Sequence, residues 1–202
     1  MQGSRGQYSR RFNSKKLSGD LGGGRVDMAL GRFCLAVVLA GGLLGASVSS
    51  GFSAKDAAAT TSGLPVPRYV SLKSDHVNVR AGPTKDNDVA WVYTRSGLPV
   101  EITAEFENWR RVRDSEGAEG WVYHSLLSGR RTAVVTMKSK DDLAPIYDRA
   151  DQTSAVAARL QAGVVTQVKR CASGWCHVNG NGFDGWIEQQ RLWGVYADEK
   201  VD

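Results

Sequence analysis

One ordered pattern occurs twice in this chain and limits its folding choices more than any other feature. Trp109-x-x-Val112, a turn sequence and Gly120-Trp121-Val122 recur as Trp175-x-x-Val178 and Gly185-Trp186-Ile187, 66 and 65 residues later. Upstream, Gly97 followed by apolar Leu98, Val100 and Ile102 matches Gly163 followed by Val164, Val165 and Val168. A fixed repeat of this length means one structural unit built twice. Units of about 60 residues cannot enclose a deep core, and 202 residues fit one ordinary domain or two small ones, not a large multidomain enzyme.

Each copy reads as short strands. Val77-Asn78-Val79-Arg80 alternates apolar and polar residues before Ala81-Gly82-Pro83 breaks the chain. The runs 89–93 (VAWVY) and 100–106 (VEITAEF) are rich in β-branched and aromatic residues. Trp109 to Arg113 runs through Asp114-Ser115-Glu116-Gly117 into Gly120 to Tyr123, which predicts a hairpin, and Arg131 to Thr136 reads as the strand that closes the first copy. No stretch outside the N-terminal region carries ten residues of helical periodicity. The expected architecture is all-β: two tandem small barrels, the first over 68–136 and the second over 137–199. The four tryptophans in register (Trp109, Trp121, Trp175, Trp186) are expected to be buried, because each removes about 150–250 Å² from water, a gross gain of roughly 4–6 kcal/mol. Trp91 and Trp193 have no counterparts and are expected to form an inter-repeat contact or an exposed platform.

The N-terminal quarter has a different composition. The chain carries 26 Lys+Arg against 21 Asp+Glu, yet residues 1–54 hold seven of the bases and two of the acids, leaving nineteen of each beyond. The net charge of +5 therefore belongs to a leader, and the body offers no electrostatic basis for binding nucleic acid. Residues 1–27 are polar and Gly/Ser-rich, a composition expected to be disordered, and they are also consistent with Met28 being the true start. From Met28 the order is a weakly positive stretch, the apolar run FCLAVVLAGGLLGA and small residues to Ala59, the layout of a secretory signal peptide over 28–59. At about 14 residues the run is short of the roughly 20 that span a bilayer, so no stable membrane anchor is expected after cleavage. An uncleaved signal anchor is the alternative.

Cys34 lies in the apolar run, leaving Cys171 and Cys176 in the body. Both sit on adjoining strand ends across a Ser173-Gly174 turn, within cross-strand reach, and export to the oxidising periplasm favours a disulfide between them. A redox-active pair is the alternative, but such pairs normally use C-x-x-C spacing at a helix N-terminus.

With these residues in view, Asn78-Val79-Arg80-Ala81-Gly82-Pro83 followed by Gly-apolar, Trp-x-x-Val and Gly-Trp-Val resembles the bacterial SH3-like domain. The second copy, with Cys171…Trp175-Cys176-x-Val178, Gly185-Trp186 and the tail Leu192-Trp193-Gly194-Val195-Tyr196, is similar to that of exported double-SH3-like proteins common in alphaproteobacteria. The resemblance implies a partly open barrel of five to six strands per copy and a general association with cell-wall binding. The second copy departs from the Asn-Val-Arg-x-Gly-Pro motif, reading Ala144-Pro145-Ile146-Tyr147-Asp148-Arg149.

Residues able to carry catalysis are few. His76, His124 and His177 are the only histidines, and His177 beside Cys176 has no third orienting group nearby in sequence. A zinc site on Cys171, Cys176 and His177 lacks a fourth ligand, and no phosphate-cradling glycine loop is present, so no cofactor or metal is expected. The expectation is a non-catalytic periplasmic module for peptidoglycan peptides or a short protein segment. Its candidate surface is the loop after Arg80 with Trp91 and Tyr123. An adaptor subunit of an envelope enzyme or complex is the alternative.

Overall fold

The computed structural model describes residues 10–12, 61–137, 139 and 142–202. The expected signal segment, Cys34 and most of the leader lie outside these residues. Among those described, no helix is long and apolar enough to cross a membrane. Among the described residues, regular structure is all strand apart from two 3₁₀ turns, at His124–Leu126 and Gln189–Arg191.

Leader residues Arg10–Phe12 form β1. The first copy comprises β2 (Arg68–Leu72), β3 (Val77–Arg80), β4 (Val89–Tyr93), β5 (Pro99–Phe106), β6 (Trp109–Arg113), β7 (Glu119–Tyr123) and β8 (Leu127–Ser128). The second comprises β9 (Thr132–Val135), β10 (Leu143–Tyr147), β11 (Val156–Gln161), β12 (Val165–Ala172), β13 (Trp175–Gly180), β14 (Phe183–Glu188) and β15 (Leu192–Trp193). The sheet orders are β4-β3-β7-β6-β5-β2-β8 and β11-β10-β14-β13-β12-β9-β15, the same arrangement element for element. The sequence repeat is therefore a repeat of two tandem small β domains, as expected.

Two details correct the sequence reading. Thr132–Val135, expected to close the first copy, pairs with β12 and β15 and opens the second. It does there what Arg68–Leu72 does for the first: Gly97 N–H donates to Leu72 O and Gly163 N–H to Val135 O, each at 2.8 Å. The boundary thus falls near Gly129, ahead of the expected 136/137. In the leader, Arg10–Phe12 pairs antiparallel with β4, with Arg10 opposite Tyr93 and Phe12 opposite Trp91, where disorder was expected. The edge of β4 presents unpaired backbone groups that a passing extended segment satisfies.

Side-chain parity explains the Gly-Trp motif. In β7 and β14 the residues alternate across the sheet, and Gly120 and Gly185 face inward while Trp121 and Trp186 face outward, half-buried. A Cβ on Gly120 would lie 2.4 Å from Val79 Cγ1, and one on Gly185 would lie 2.7 Å from Ile146 Cγ2 and from the Tyr147 carbonyl oxygen. Glycine is what lets the crossing strand approach. The cores are mainly aliphatic: Val77, Val79, Val100, Ile102, Val112 and Val122 with Tyr93 in the first copy, and Ile146, Val178, Ile187 and both cysteines in the second. Of the four tryptophans in register only Trp109 is buried, which corrects the expected burial of Trp121, Trp175 and Trp186.

Both copies belong to one compact unit. Trp193 packs edge-on against Tyr69 of the first copy at 5.1 Å, and Tyr69 also meets Tyr196 at 4.6 Å. Trp193 is therefore the inter-repeat contact that its unmatched position suggested. Tyr196 donates to Glu101 Oε1 at 3.0 Å, and Glu101 accepts from Arg113. Burial, then the charge of Glu101, pushes the Tyr69 phenol up to about 12, so this junction stays uncharged at its hydroxyls across the physiological range.

Candidate ligand-binding site

Arg80, Trp91 and Tyr123 do not form one surface. Arg80 lies opposite Trp121, and Tyr123 is two residues along β7 from Trp121, so Arg80 and Tyr123 share the outer face. Trp91 points the other way, into the core, 7 % exposed and edge-on to Tyr93 at 6.1 Å. Arg80 braces its own loop, with Nη1 donating to the Asn87 carbonyl at 2.6 Å, while Asn87 Nδ2 donates to Thr84 Oγ1 at 2.7 Å. Trp91 is thus a core residue, and the expected exposed platform is absent from this face.

The hairpin ends of the two copies make a sharper contrast. In the first, Phe106 pairs with Trp109 around a Glu107-Asn108 tip; in the second, Ala172 pairs with Trp175 around Ser173-Gly174. Glu107 and Ser173 occupy the same left-handed position, with φ of 47° and 53°. One register step behind the tip, Glu105 faces Arg110 in the first copy and Cys171 faces Cys176 in the second. The first pair is an ion pair of 3.1 Å; the second is a disulfide.

The ion pair sits inside a larger clasp. Glu105 also accepts from Arg68 Nη2 at 2.7 Å, Ser62 N–H at 2.8 Å and Ser62 Oγ at 2.7 Å. Burial opposes ionisation of Glu105, but the hydrogen bonds from Ser62 and Arg68 and the charge of Arg110 outweigh it and hold its carboxyl down at about 2. The disulfide cysteines are both fully buried, and a backbone bridge from Val201 covers Cys171. Burial of both sulfurs argues for the structural role of this pair over the redox one.

Beyond the clasp the copies diverge. Trp109, 8 % exposed, is covered by Tyr123 across the strand, ring centroids 5.4 Å apart at 81°. The residue opposite Trp175 is Glu188, which offers no ring to cover the indole and whose carboxylate is held by Gln152 and Arg191. Trp175 remains partly exposed, with the Tyr147 ring edge-on at 5.7 Å, and forms a wall of an open groove of about 750 Å³. The 150–153 loop, the Ser173-Gly174 tip, the Gln189–Arg191 turn and the 195–198 tail supply the rest of the lining.

The groove is acidic and holds an unused acceptor. Asp151, Glu188 and Asp198 line it, with no Lys or Arg among the lining residues. Glu188 accepts from Gln152 Nε2 and from Arg191 Nε; burial resists its ionisation, and these two donors overcome that and lower its carboxyl below the ordinary value. Gln189, 5 % exposed, donates Nε2 to the Tyr196 carbonyl at 2.6 Å and the Glu199 carbonyl at 3.1 Å. These two acceptors fix the amide orientation, and they leave Gln189 Oε1 buried without a partner. A buried acceptor of this kind is normally satisfied, and in a groove also lined by Trp175 it suits a ligand N–H.

The remaining candidate chemistry is engaged structurally. His177 stacks on Trp186 at 5.0 Å and its Nε2 meets Asp184 Oδ1 at 2.6 Å; that hydrogen bond, with a second from Lys169, lowers the Asp184 carboxyl. Arg170 lies over the Trp186 ring at 5.4 Å. Among the described residues no group of three or more His, Cys, Asp or Glu could hold a metal.

Against known proteins, the family model described as Bacterial SH3 domain matches residues 73–129 and again 140–194. Comparison with curated proteins finds no match. Two similar solved structures are NlpC2 and NlpC1 from Trichomonas vaginalis, each 18 % identical. The first aligns 67 % of this chain with 50 % of its own at a TM-score of 0.29, the second 66 % with 48 % at 0.28. The chain thus spans about half the length of either.

Proposed function

This chain belongs to the bacterial SH3 domain family, and on that premise we propose that it is a non-catalytic periplasmic binding module that recognises cell-wall peptides through the groove of its second copy. Bacterial SH3 domains are often cell-wall-binding modules, which supports the ligand class. The observation that carries the reading is the groove itself, lined by a partly exposed Trp175 and by Gln189, whose buried Oε1 has no partner. Aromatic faces take the apolar part of a peptide and a fixed carbonyl oxygen takes its N–H. Asp151 and Asp198 favour a ligand carrying an amine. The periplasmic location rests on the signal-peptide layout of 28–59 and on the buried disulfide.

The test is retention of the chain on intact sacculi, compared with Trp175→Ala. Retention of the parent and its loss in the variant support the reading; equal retention of both would sink the groove as the site. A second reading, an adaptor for an envelope protein complex, draws on a different observation: β4 already pairs an extended segment along its edge, a mode by which sheets also take partner strands. Recovery of a protein partner from envelope extract that survives wall digestion would favour it.

A further inference from the structure

A second cavity lies between the two copies and has the opposite character to the groove. It measures about 430 Å³, and its lining comes from both repeats: Ser71, Lys73 and Ser96 on one side, Arg130, Thr132 and Asn179 on the other. No Asp or Glu is among its lining residues. Lys73 and Arg130 are exposed, and among the described residues neither is held in an ion pair.

One wall of this cleft is built from strand register. Thr132 on β9 lies opposite Gln167 on β12, and Gln167 lies opposite Asn179 on β13. Directly opposed residues share a face of the sheet, so three polar side chains form one row across three strands. Thr132 is 6 % exposed, yet its Oγ1 makes no hydrogen bond, and neither does the buried Asn179 Oδ1. Two buried polar atoms left unpartnered in the lining of a cavity point to a ligand that completes them. A hydroxyl donates readily, and an amide offers either end of its dipole.

We infer that this inter-repeat cleft binds the terminal carboxylate of a short peptide. Two cations at the rim and the Thr132 hydroxyl below supply the donors that a carboxylate requires. The Asn179 and Gln167 amides and the serine hydroxyls suit the adjoining backbone N–H and C=O groups. At about 30 Å³ per water, the space amounts to roughly fourteen waters, too much for a lone small anion to fill. Domain junctions are also common places for such sites. The site is separate from the second-copy groove, and its existence does not depend on that groove binding anything.

The test is an amide and side-chain NMR titration of the full chain with N-acetyl-Ala-Ala as the free acid, with its C-terminal amide, and with inorganic phosphate. The free acid is expected to shift Thr132, Asn179 and Ser96 saturably, and the amide to bind at least tenfold more weakly. Lys73→Gln and Arg130→Gln, both at exposed positions, each weaken binding several-fold without disturbing the rest of the spectrum. Thr132→Val, which keeps the shape and removes the hydroxyl, weakens it further. Equal binding of acid and amide, phosphate matching the dipeptide on these residues, or indifference to both charge variants would overturn the assignment.

Discussion

The two hairpins solve one packing problem with different chemistry. At the same register, Glu105 faces Arg110 in the first copy and Cys171 faces Cys176 in the second. The charged pair needs an arm, Ser62 and Arg68, to satisfy its remaining valences, because a buried charge is tolerated only when fully partnered. The disulfide has no such valences and needs only apolar cover. The next cross-strand pair differs as well: Tyr123 seals Trp109, whereas Glu188 leaves Trp175 partly open. A duplicated fold can therefore keep one indole closed while its counterpart stays open to solvent.

The largest expected effect is on the aromatic pair. Trp109→Ala removes a buried indole and should cost about 3–5 kcal/mol, while Trp175→Ala, at a partly exposed ring, should cost about 1 kcal/mol or less. Urea unfolding of the two variants measures the difference, and equal costs would break the closed-versus-open comparison. Next is Glu105→Gln, which leaves Arg110 buried without its counter-charge and should cost about 3 kcal/mol at pH 7. Its pH dependence follows from the depressed carboxyl of about 2. The ion-pair contribution is complete above the ordinary carboxylate range and is lost as pH falls from about 4.5 toward 2. The stability gap between wild type and Glu105→Gln should close over that interval, and a constant gap would show that charge is not its source.

Reduction, or the Cys171→Ser/Cys176→Ser double variant, should cost about 2 kcal/mol on chain-entropy grounds and show no such acid dependence. Smallest is the effect at the hairpin tips. Both hold a non-glycine residue at positive φ, so Glu107→Gly and Ser173→Gly should each be neutral or stabilising by up to about 1 kcal/mol, seen as a small rise in midpoint temperature. A loss in either would indicate a side-chain role at that tip.

What the sequence conveyed follows the same physical lines. The hairpins, the matched positions of Gly97 and Gly163, the cysteine pair and the unmatched Trp193 were all legible, because each depends on local turn chemistry, on the repeat or on an obvious break in it. The facing of Trp91 was not. Every position of VAWVY is apolar, so the period-two pattern that assigns faces is silent there. The bulky Trp of Gly-Trp also drew attention from the glycine, whose missing side chain is what packs. Nothing in the sequence attaches Thr132–Val135 to the second copy, because alignment on the tryptophans does not reach the first strand of either repeat. The groove could have been found only by aligning Tyr123 with Glu188, a difference of one residue whose meaning appears once Trp109 and Trp175 are placed beneath them.

The most direct test resolves the six tryptophan indole N–H signals individually and follows them as muropeptides released from digested sacculi are added. The Trp175 signal should shift saturably while those of Trp109 and Trp91 stay fixed. A shift at Trp109 in place of Trp175, or six unmoved signals at saturating muropeptide, would contradict the assignment of binding to the open second copy.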